Sequence, residues 1–310
     1  MKTIVSDGIQ RMSSIGLGCA TFGREIDEAA SHGLLDYAYA RGISFLDTAL
    51  EYGDGVSESI VGTWFASRRP SADSVMLATK IAPPYEPARI VNAVNECLRR
   101  LCVPIIDLLY LHRWDATAES PASLAALDTL VRAGKVRMLG ASNYTSEELS
   151  TALAIQGQYG LECFRVVQNN HNIAVSDITP EFRQICLTRG IPIVTYSPLG
   201  AGFLTGKHQR GIEPGSRFDL VPGLQGIYFH EAAKRRLRHL ERVAVLAAQN
   251  QTHLALAWAL HQPDVTSVLV GARTQVHIDQ ALAAQAFNAP ALFAKLEGVR
   301  ANAMDDLKEE

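Results

Sequence analysis

The segment FLDTALEYGDG, residues 45–55, starts as an apolar strand and then places Asp47 where another buried residue is due, with Tyr52 close behind in a glycine-rich stretch. Further along, LATK ends in Lys80 and DLLYLHR carries His112, each again where an apolar run gives out. Groups of these four types can form a proton-donating site. A phenol has an ordinary pKa of ~10, too high for easy proton release near neutrality. A neighbouring ammonium favours the phenolate and pulls that value down, and an ammonium kept from water needs a carboxylate partner. Asp47 paired with Lys80, and Lys80 set against Tyr52, make such a chain, with Tyr52 as a general acid able to protonate an oxygen. A neutral His112 can donate to the same oxygen and hold a carbonyl in place. Singly, each residue has an ordinary reading: Asp47 as a turn cap, the others as exposed or structural groups. Their recurrence at successive strand ends points to one shared site.

The remaining strand ends carry groups suited to a dinucleotide. Ser142, Asn143 and Gln168 offer hydroxyl and amide groups for a carboxamide such as that of nicotinamide, and Tyr196 offers a flat face for a heteroaromatic ring. Next comes SPLGAGFLTGKHQRGIEPGSR, residues 197–217, a long loop with Lys207, Arg210 and Arg217. The last strand leads into GART, where Gly271 permits close backbone approach and Arg273 presents a planar fork to phosphate. The Rossmann Gly-x-Gly-x-x-Gly spacing is absent; GLGCATFG, residues 16–23, comes nearest and belongs to the first strand.

The elements that must bring these groups together are eight apolar runs: residues 15–21, 43–49, 75–81, 107–113, 136–143, 165–172, 191–198 and 265–272. Amphipathic stretches such as ARIVNAVNECLRRL and PASLAALDTLVRAG lie between them. Asp27 and Ser146 are candidate N-caps, and Gly42, Gly134 and Gly190 are candidate helix stops. Near-continuous apolar strands, each followed by a helix, predict a parallel sheet covered on its outer side. Eight such units in 310 residues predict a closed (β/α)8 TIM barrel, whose chemistry gathers at the C-terminal strand ends. No low-complexity linker divides the chain, so residues 1–310 are expected to form one domain. Asp7-Gly8 predicts an N-terminal β-hairpin closing the barrel bottom, and residues 289–306 predict an additional C-terminal helix.

A formal net charge of −3 gives no electrostatic ground for a nucleic acid or membrane partner. The basic run AKRRLRH, residues 233–239, sits in a helical pattern and reads as a solvated face. No apolar run has the length of a signal peptide or a membrane span. Five cysteines without metal-ligand spacing are expected to be reduced thiols in a cytoplasmic setting, with no metal site.

The motifs GLGCATFG, FLDTALEYGDGVSE, LATK, DLLYLHRWD, LGASNY, VVQNNHN, TYSPLGAGFLTGK and GART run over nearly the whole chain. Together they resemble the aldo-keto reductase superfamily, in the branch of bacterial sugar and aldehyde reductases and potassium-channel β subunits. The resemblance implies Tyr52 as proton donor, Asp47 and Lys80 as its tuning pair, and His112 as the group orienting a substrate carbonyl. It implies NADPH as hydride donor, held by Ser142, Asn143, Gln168, Tyr196, Ser197, Leu199, Lys207, Arg217, Gly271 and Arg273. At the adenine end many relatives carry Gln and then Glu-Asn; this chain has His277, Gln280 and Ala281, leaving Gln280 to reach the adenine amino group. Lys207, Arg217 and Arg273 favour NADP through its 2′-phosphate, with NAD as the alternative. The substrate implied is a small aldehyde, ketone or keto-sugar, or a sugar oxidised in the reverse direction. Rival readings are a nucleotide-sensing regulatory subunit, against which the retained His112 argues, and a lyase using Lys80 as a Schiff-base nucleophile. Trp114 is a candidate wall of the substrate pocket, His171 has no assigned role, and the oligomeric state is open.

Overall fold

The eight predicted strands form, and they close into one parallel barrel in sequential order, with β1 pairing both β2 and β8. They are β1 (Ile15–Gly18), β2 (Phe45–Asp47), β3 (Met76–Ile81), β4 (Ile106–Leu111), β5 (Val136–Ser142), β6 (Phe164–Asn170), β7 (Ile193–Tyr196) and β8 (Val265–Gly271). The computed structural model describes residues 11–71 and 74–305. The hairpin expected around Asp7-Gly8 lies outside them.

Helices follow the strands in alternation: α1 (Glu28–Ala40), α2 (Val56–Arg68), α3 (Pro87–Leu101), α4 (Pro121–Arg132), α5 (Ser146–Gln158) and α6 (Pro180–Arg189). The long segment after β7 folds into short turns of helix, including α7 (Arg217–Leu220) and α8 (Gln225–Tyr228), before α9 (Glu231–Leu246) and α10 (Gln251–Leu260). After β8 come α11 (Gln275–Ala286) and α12 (Pro290–Asp305), the latter being the extra helix expected over 289–306. In α9 the apolar stripe Leu237, Leu240 and Val243 is buried while Arg235 and Arg238 of the basic run face solvent; Arg236 of the same run instead turns inward, half-buried, and donates to the Ala174 carbonyl at 2.6 Å. Among the described residues no helix is long and apolar enough to cross a membrane.

Local chemistry explains the boundaries. Asp27 caps α1 by accepting from the Ala30 N–H at 2.9 Å. The expected cap at Ser146 is corrected by one residue: Thr145 is the N-cap of α5, with Glu148 reaching back to its N–H at 2.7 Å. The S/T-x-x-E spacing starts at Thr145, and only there does a glutamate stand three residues on.

Three buried apolar clusters result among the described residues. The largest lies between the strands' outer faces and the helices, and includes Leu17, Leu46, Leu77, Leu109, Leu139, Trp64 and Leu101. A second gathers Phe203, Phe218, Leu240, Leu254 and Trp258 from α9, α10 and the segment after β7. The barrel's interior is filled by Phe45, Met76, Ala78, Leu108, Tyr110, Met138, Val166, Val194 and Leu269. Gly16 and Gly140 make room for the large members, since a Cβ on Gly16 would stand 2.6 Å from Phe45 and one on Gly140 2.5 Å from Tyr110.

This interior sets the site by periodicity, because side chains two apart on a strand share a face. Phe45 is followed inward by Asp47, Ala78 by Lys80, Leu108 and Tyr110 by His112, Val166 by Gln168, and Val194 by Tyr196. Register keeps these ends at neighbouring heights: Asp47 pairs with Ala78, Lys80 with Tyr110, Ser142 with Gln168 and Asn170 with Tyr196.

Candidate active site

The topmost interior layer is polar. Lys80 and Asp47 are 0% and 1% exposed, and their side chains are in direct hydrogen-bonded contact through Nζ and Oδ1. The ammonium also donates to the Thr48 carbonyl at 2.9 Å and meets the Tyr52 hydroxyl at 3.2 Å. The second carboxylate oxygen of Asp47 accepts from Gln168 Nε2 at 2.8 Å. A buried charge is tolerable when paired and fully hydrogen-bonded, and this pair meets that condition from four directions. Burial opposes the Lys80 ammonium, but Asp47 and then Tyr52 outweigh it, so its pKa is raised and the group stays charged.

Tyr52 sits in the β2–α2 loop, half-buried, with its ring edge-on to the His112 imidazole at a centroid distance of 5.8 Å. Burial raises the phenol above its ordinary value; Lys80 pulls it down, and the net direction is upward. The downward pull expected from the sequence is therefore present, but desolvation is the larger effect.

His112 follows β4. Burial moves its imidazole below the usual histidine range, with Glu51 opposing. Glu51 Oε2 stands 2.9 Å from His112 Nδ1, off the ring N–H direction, so the contact is an ion-pair approach rather than an aligned hydrogen bond. The same carboxylate takes both arms of Arg113 at 2.7 and 3.0 Å. The sequence reading missed Glu51, although it directly precedes Tyr52 and Arg113 directly follows His112.

The groups expected to hold a nucleotide line the same mouth from β5 round to β8. Ser142 is buried at the end of β5, and Asn143 follows it with φ 58°. Asn143 Nδ2 donates to the His112 carbonyl at 2.8 Å, and its Oδ1 accepts from the Tyr196 hydroxyl at 2.6 Å. That bond fixes the Tyr196 ring. Ser197 also has positive φ, 56°, and Leu199 is half-buried beyond it. Gly271 ends β8 with open space where a Cβ would stand. Gln280 is an exposed residue of α11.

The basic residues divide. Lys207 faces Glu213 at 3.6 Å. Arg217 meets Glu25, between β1 and α1, at 2.9 Å, and Glu25 is also paired with Arg24. Arg273 touches the Gly215 carbonyl at 3.4 Å and, among the described residues, has no carboxylate partner. Of the three cations expected to meet a phosphate, Arg273 is thus the one whose charge is left uncompensated. His277 accepts from the Thr274 hydroxyl at 3.0 Å, and its imidazole pKa is lowered by burial and then by Arg273. Trp114 is exposed in the loop after β4, its Nε1 donating to Glu119 at 2.9 Å. His171, unassigned by sequence, is buried against Trp258 with Nδ1 2.6 Å from the Ser176 hydroxyl.

A closed parallel barrel with a buried ammonium–carboxylate pair, a phenol and an imidazole at its C-terminal mouth is the frame of a barrel enzyme handling charge on oxygen. Sequence comparison gives the class a name. The sequence profile of the Aldo/keto reductase family matches residues 14–294. Protein tas of Escherichia coli is 28% identical over 300 residues, covering 85% of this chain and 86% of that protein. Norsolorinic acid reductase B of Aspergillus parasiticus is 31% identical over 290 residues, covering 86% of this chain and 75% of that protein. A probable voltage-gated potassium channel subunit beta of Oryza sativa subsp. japonica is 27% identical over 281 residues, covering 86% of each. The chain belongs to the aldo/keto reductase family and is an NAD(P)H-dependent oxidoreductase.

Proposed function

We propose that this protein, acting as one domain over residues 1–310, is an NADPH-dependent reductase of an aldehyde, ketone or keto-sugar carbonyl. The observation that carries the reading is the contact between the Lys80 ammonium and the Tyr52 hydroxyl at 3.2 Å, made by an amine already locked to Asp47 and Thr48.

The residues present fit a dinucleotide. Gln168 donates its amide N–H to Asp47, which leaves its carbonyl oxygen as an acceptor for a carboxamide N–H. The Tyr196 ring, tethered to Asn143, offers a stacking face, and Ser142 and Asn143 line the same side. The open backbone at Gly271 and the uncompensated Arg273 suit the phosphate end, favouring NADP over NAD. Ser197, Leu199, Lys207, Arg217 and Gln280 complete the proposed contacts. When bound, the nicotinamide supplies hydride to the carbonyl carbon.

The remaining chemistry belongs to the chain's own side chains. His112, edge-on to Tyr52 at a ring-centroid distance of 5.8 Å, is the group that would orient the substrate carbonyl beside the phenol. The raised phenol keeps Tyr52 protonated at neutral pH, so its proton is available as negative charge develops on that oxygen. Lys80 then stabilises the phenolate, and Asp47 keeps the lysine charged. Retention of His112 beside Tyr52 supports turnover over a purely regulatory role. The test follows the reduced-nicotinamide absorbance band over a panel of aldehydes, ketones and keto-sugars, and over aldoses in the oxidative direction. NADPH consumption with a carbonyl supports the reading; tight NADPH binding with no turnover on any member contradicts it.

A further inference from the structure

Tyr52 stands at the head of an unusual turn. The next three residues, Gly53, Asp54 and Gly55, have φ of 58°, 52° and 88°, after which α2 begins. Glycine takes positive φ freely and aspartate is among the few other residues that tolerate it, so the turn's own backbone does little to fix where Tyr52 points, and its neighbours matter.

Support comes from Arg100 on α3. A Cβ on Gly55 would stand 2.6 Å from both Cζ and Nε of Arg100, so the guanidinium fills the space beside the turn where a side chain would go. Arg100 is held in turn by Glu58 Oε2 at 3.1 Å and Glu96 at 3.0 Å. Glu58 lies in the first turn of α2, is 0% exposed, and with Oε1 accepts from the Thr79 hydroxyl at 2.6 Å. Thr79 is the residue before Lys80. One buried carboxylate therefore joins the element that follows Tyr52 to the strand position adjoining Lys80, while fixing the arginine against the turn itself.

We infer that the Glu58–Arg100–Thr79 network is a positioning device that sets the Tyr52 hydroxyl against the Lys80 ammonium. Glu58 and Arg100 touch no reacting atom; they act through Tyr52. The inference rests on the reading of Tyr52 as proton donor. Misplacement of a reacting group by about 1 Å can cost ~10²-fold in rate, so a small slackening of this turn reaches the chemistry.

The test compares wild type, Glu58→Gln, Tyr52→Phe and the double variant by NADPH reduction kinetics, NADPH binding and thermal melting. Glu58→Gln keeps the shape and an acceptor for Thr79 but loosens Arg100. The expected result is a kcat lower by about tenfold or more, with NADPH affinity within about twofold of wild type. The double variant is expected to be no slower than Tyr52→Phe alone, because Glu58 acts through the phenol. Arg100→Met, measured identically against Tyr52→Phe, gives the same pattern and serves if Glu58→Gln does not fold. A folded variant with lowered melting temperature but unchanged kcat overturns the inference, as does a double variant slowed by the full single-variant factor. If Tyr52→Phe itself turns over like wild type, the proton-donor reading falls and this inference with it; if only Glu58→Gln and Arg100→Met are normal, the inference falls alone.

Discussion

Glu51 joins the two halves of the site: its carboxylate stands 2.9 Å from the imidazole Nδ1 of His112 while clasping Arg113 at 2.7 and 3.0 Å. The His112 contact first and Arg113 second hold its pKa at about 2, down from 4.5. A carboxylate lowered in the folded state contributes stability above its unfolded value and loses it as pH falls through the folded one. Melting temperatures of wild type and Glu51→Gln are therefore expected to differ at neutral pH and to converge as pH drops from 4.5 towards about 2. Because Glu51 raises the His112 pKa against burial, the substitution also moves the imidazole titration, followed by NMR, to lower pH. An upward movement would contradict the assignment.

Removing one member of the buried pair leaves the other charge without its partner. Lys80→Met is expected to cost about 3–5 kcal/mol in urea unfolding and to abolish most turnover. Adding Asp47→Asn should restore much of that stability while leaving turnover absent. Recovery of activity in the double variant would show that the charges are not needed for chemistry.

The cationic residues at the mouth make separable predictions. Arg273→Ala should raise KM for NADPH by about tenfold or more while leaving NADH nearly unchanged. Lys207→Ala should do less, because Glu213 already faces that amine at 3.6 Å. Arg217→Ala breaks the Glu25 pair and should weaken both nucleotides alike. Equal losses for NADPH and NADH in Arg273→Ala would remove the 2′-phosphate assignment.

Behind the Tyr52 turn, α2 and α3 meet backbone to backbone. A Cβ on Gly62 would stand 2.0 Å from the Arg100 carbonyl oxygen and 2.8 Å from the Leu101 carbonyl carbon. Neither can rotate aside. Gly62→Ala should destabilise by about 1–3 kcal/mol, as overpacking does, and denaturant titration reads this directly.

The barrel and the meeting of Asp47, Lys80 and His112 at its mouth were legible because both rest on short-range pattern. Once the runs ending near Asp47, Lys80 and His112 are taken as strands, the two-residue period sends all three inward, and closure brings them together. What the sequence concealed depends on distances between loops. Glu51 reaching His112, and Arg217 engaged by Glu25, join segments whose separation only the closed barrel defines. The Tyr52 phenol was misjudged for a related reason. The Lys80 pull could be inferred from residue types, but the opposing burial depends on the depth of the mouth, which no local spacing encodes.

The proton-donor role of Tyr52 is measured most directly by single-turnover reduction by Tyr52→Phe with NADPH pre-bound, alongside its NADPH dissociation constant. The reduction rate is expected to fall by about 10²-fold or more, as loss of a general acid gives, with nucleotide affinity preserved. A Tyr52→Phe rate equal to wild type would contradict that role.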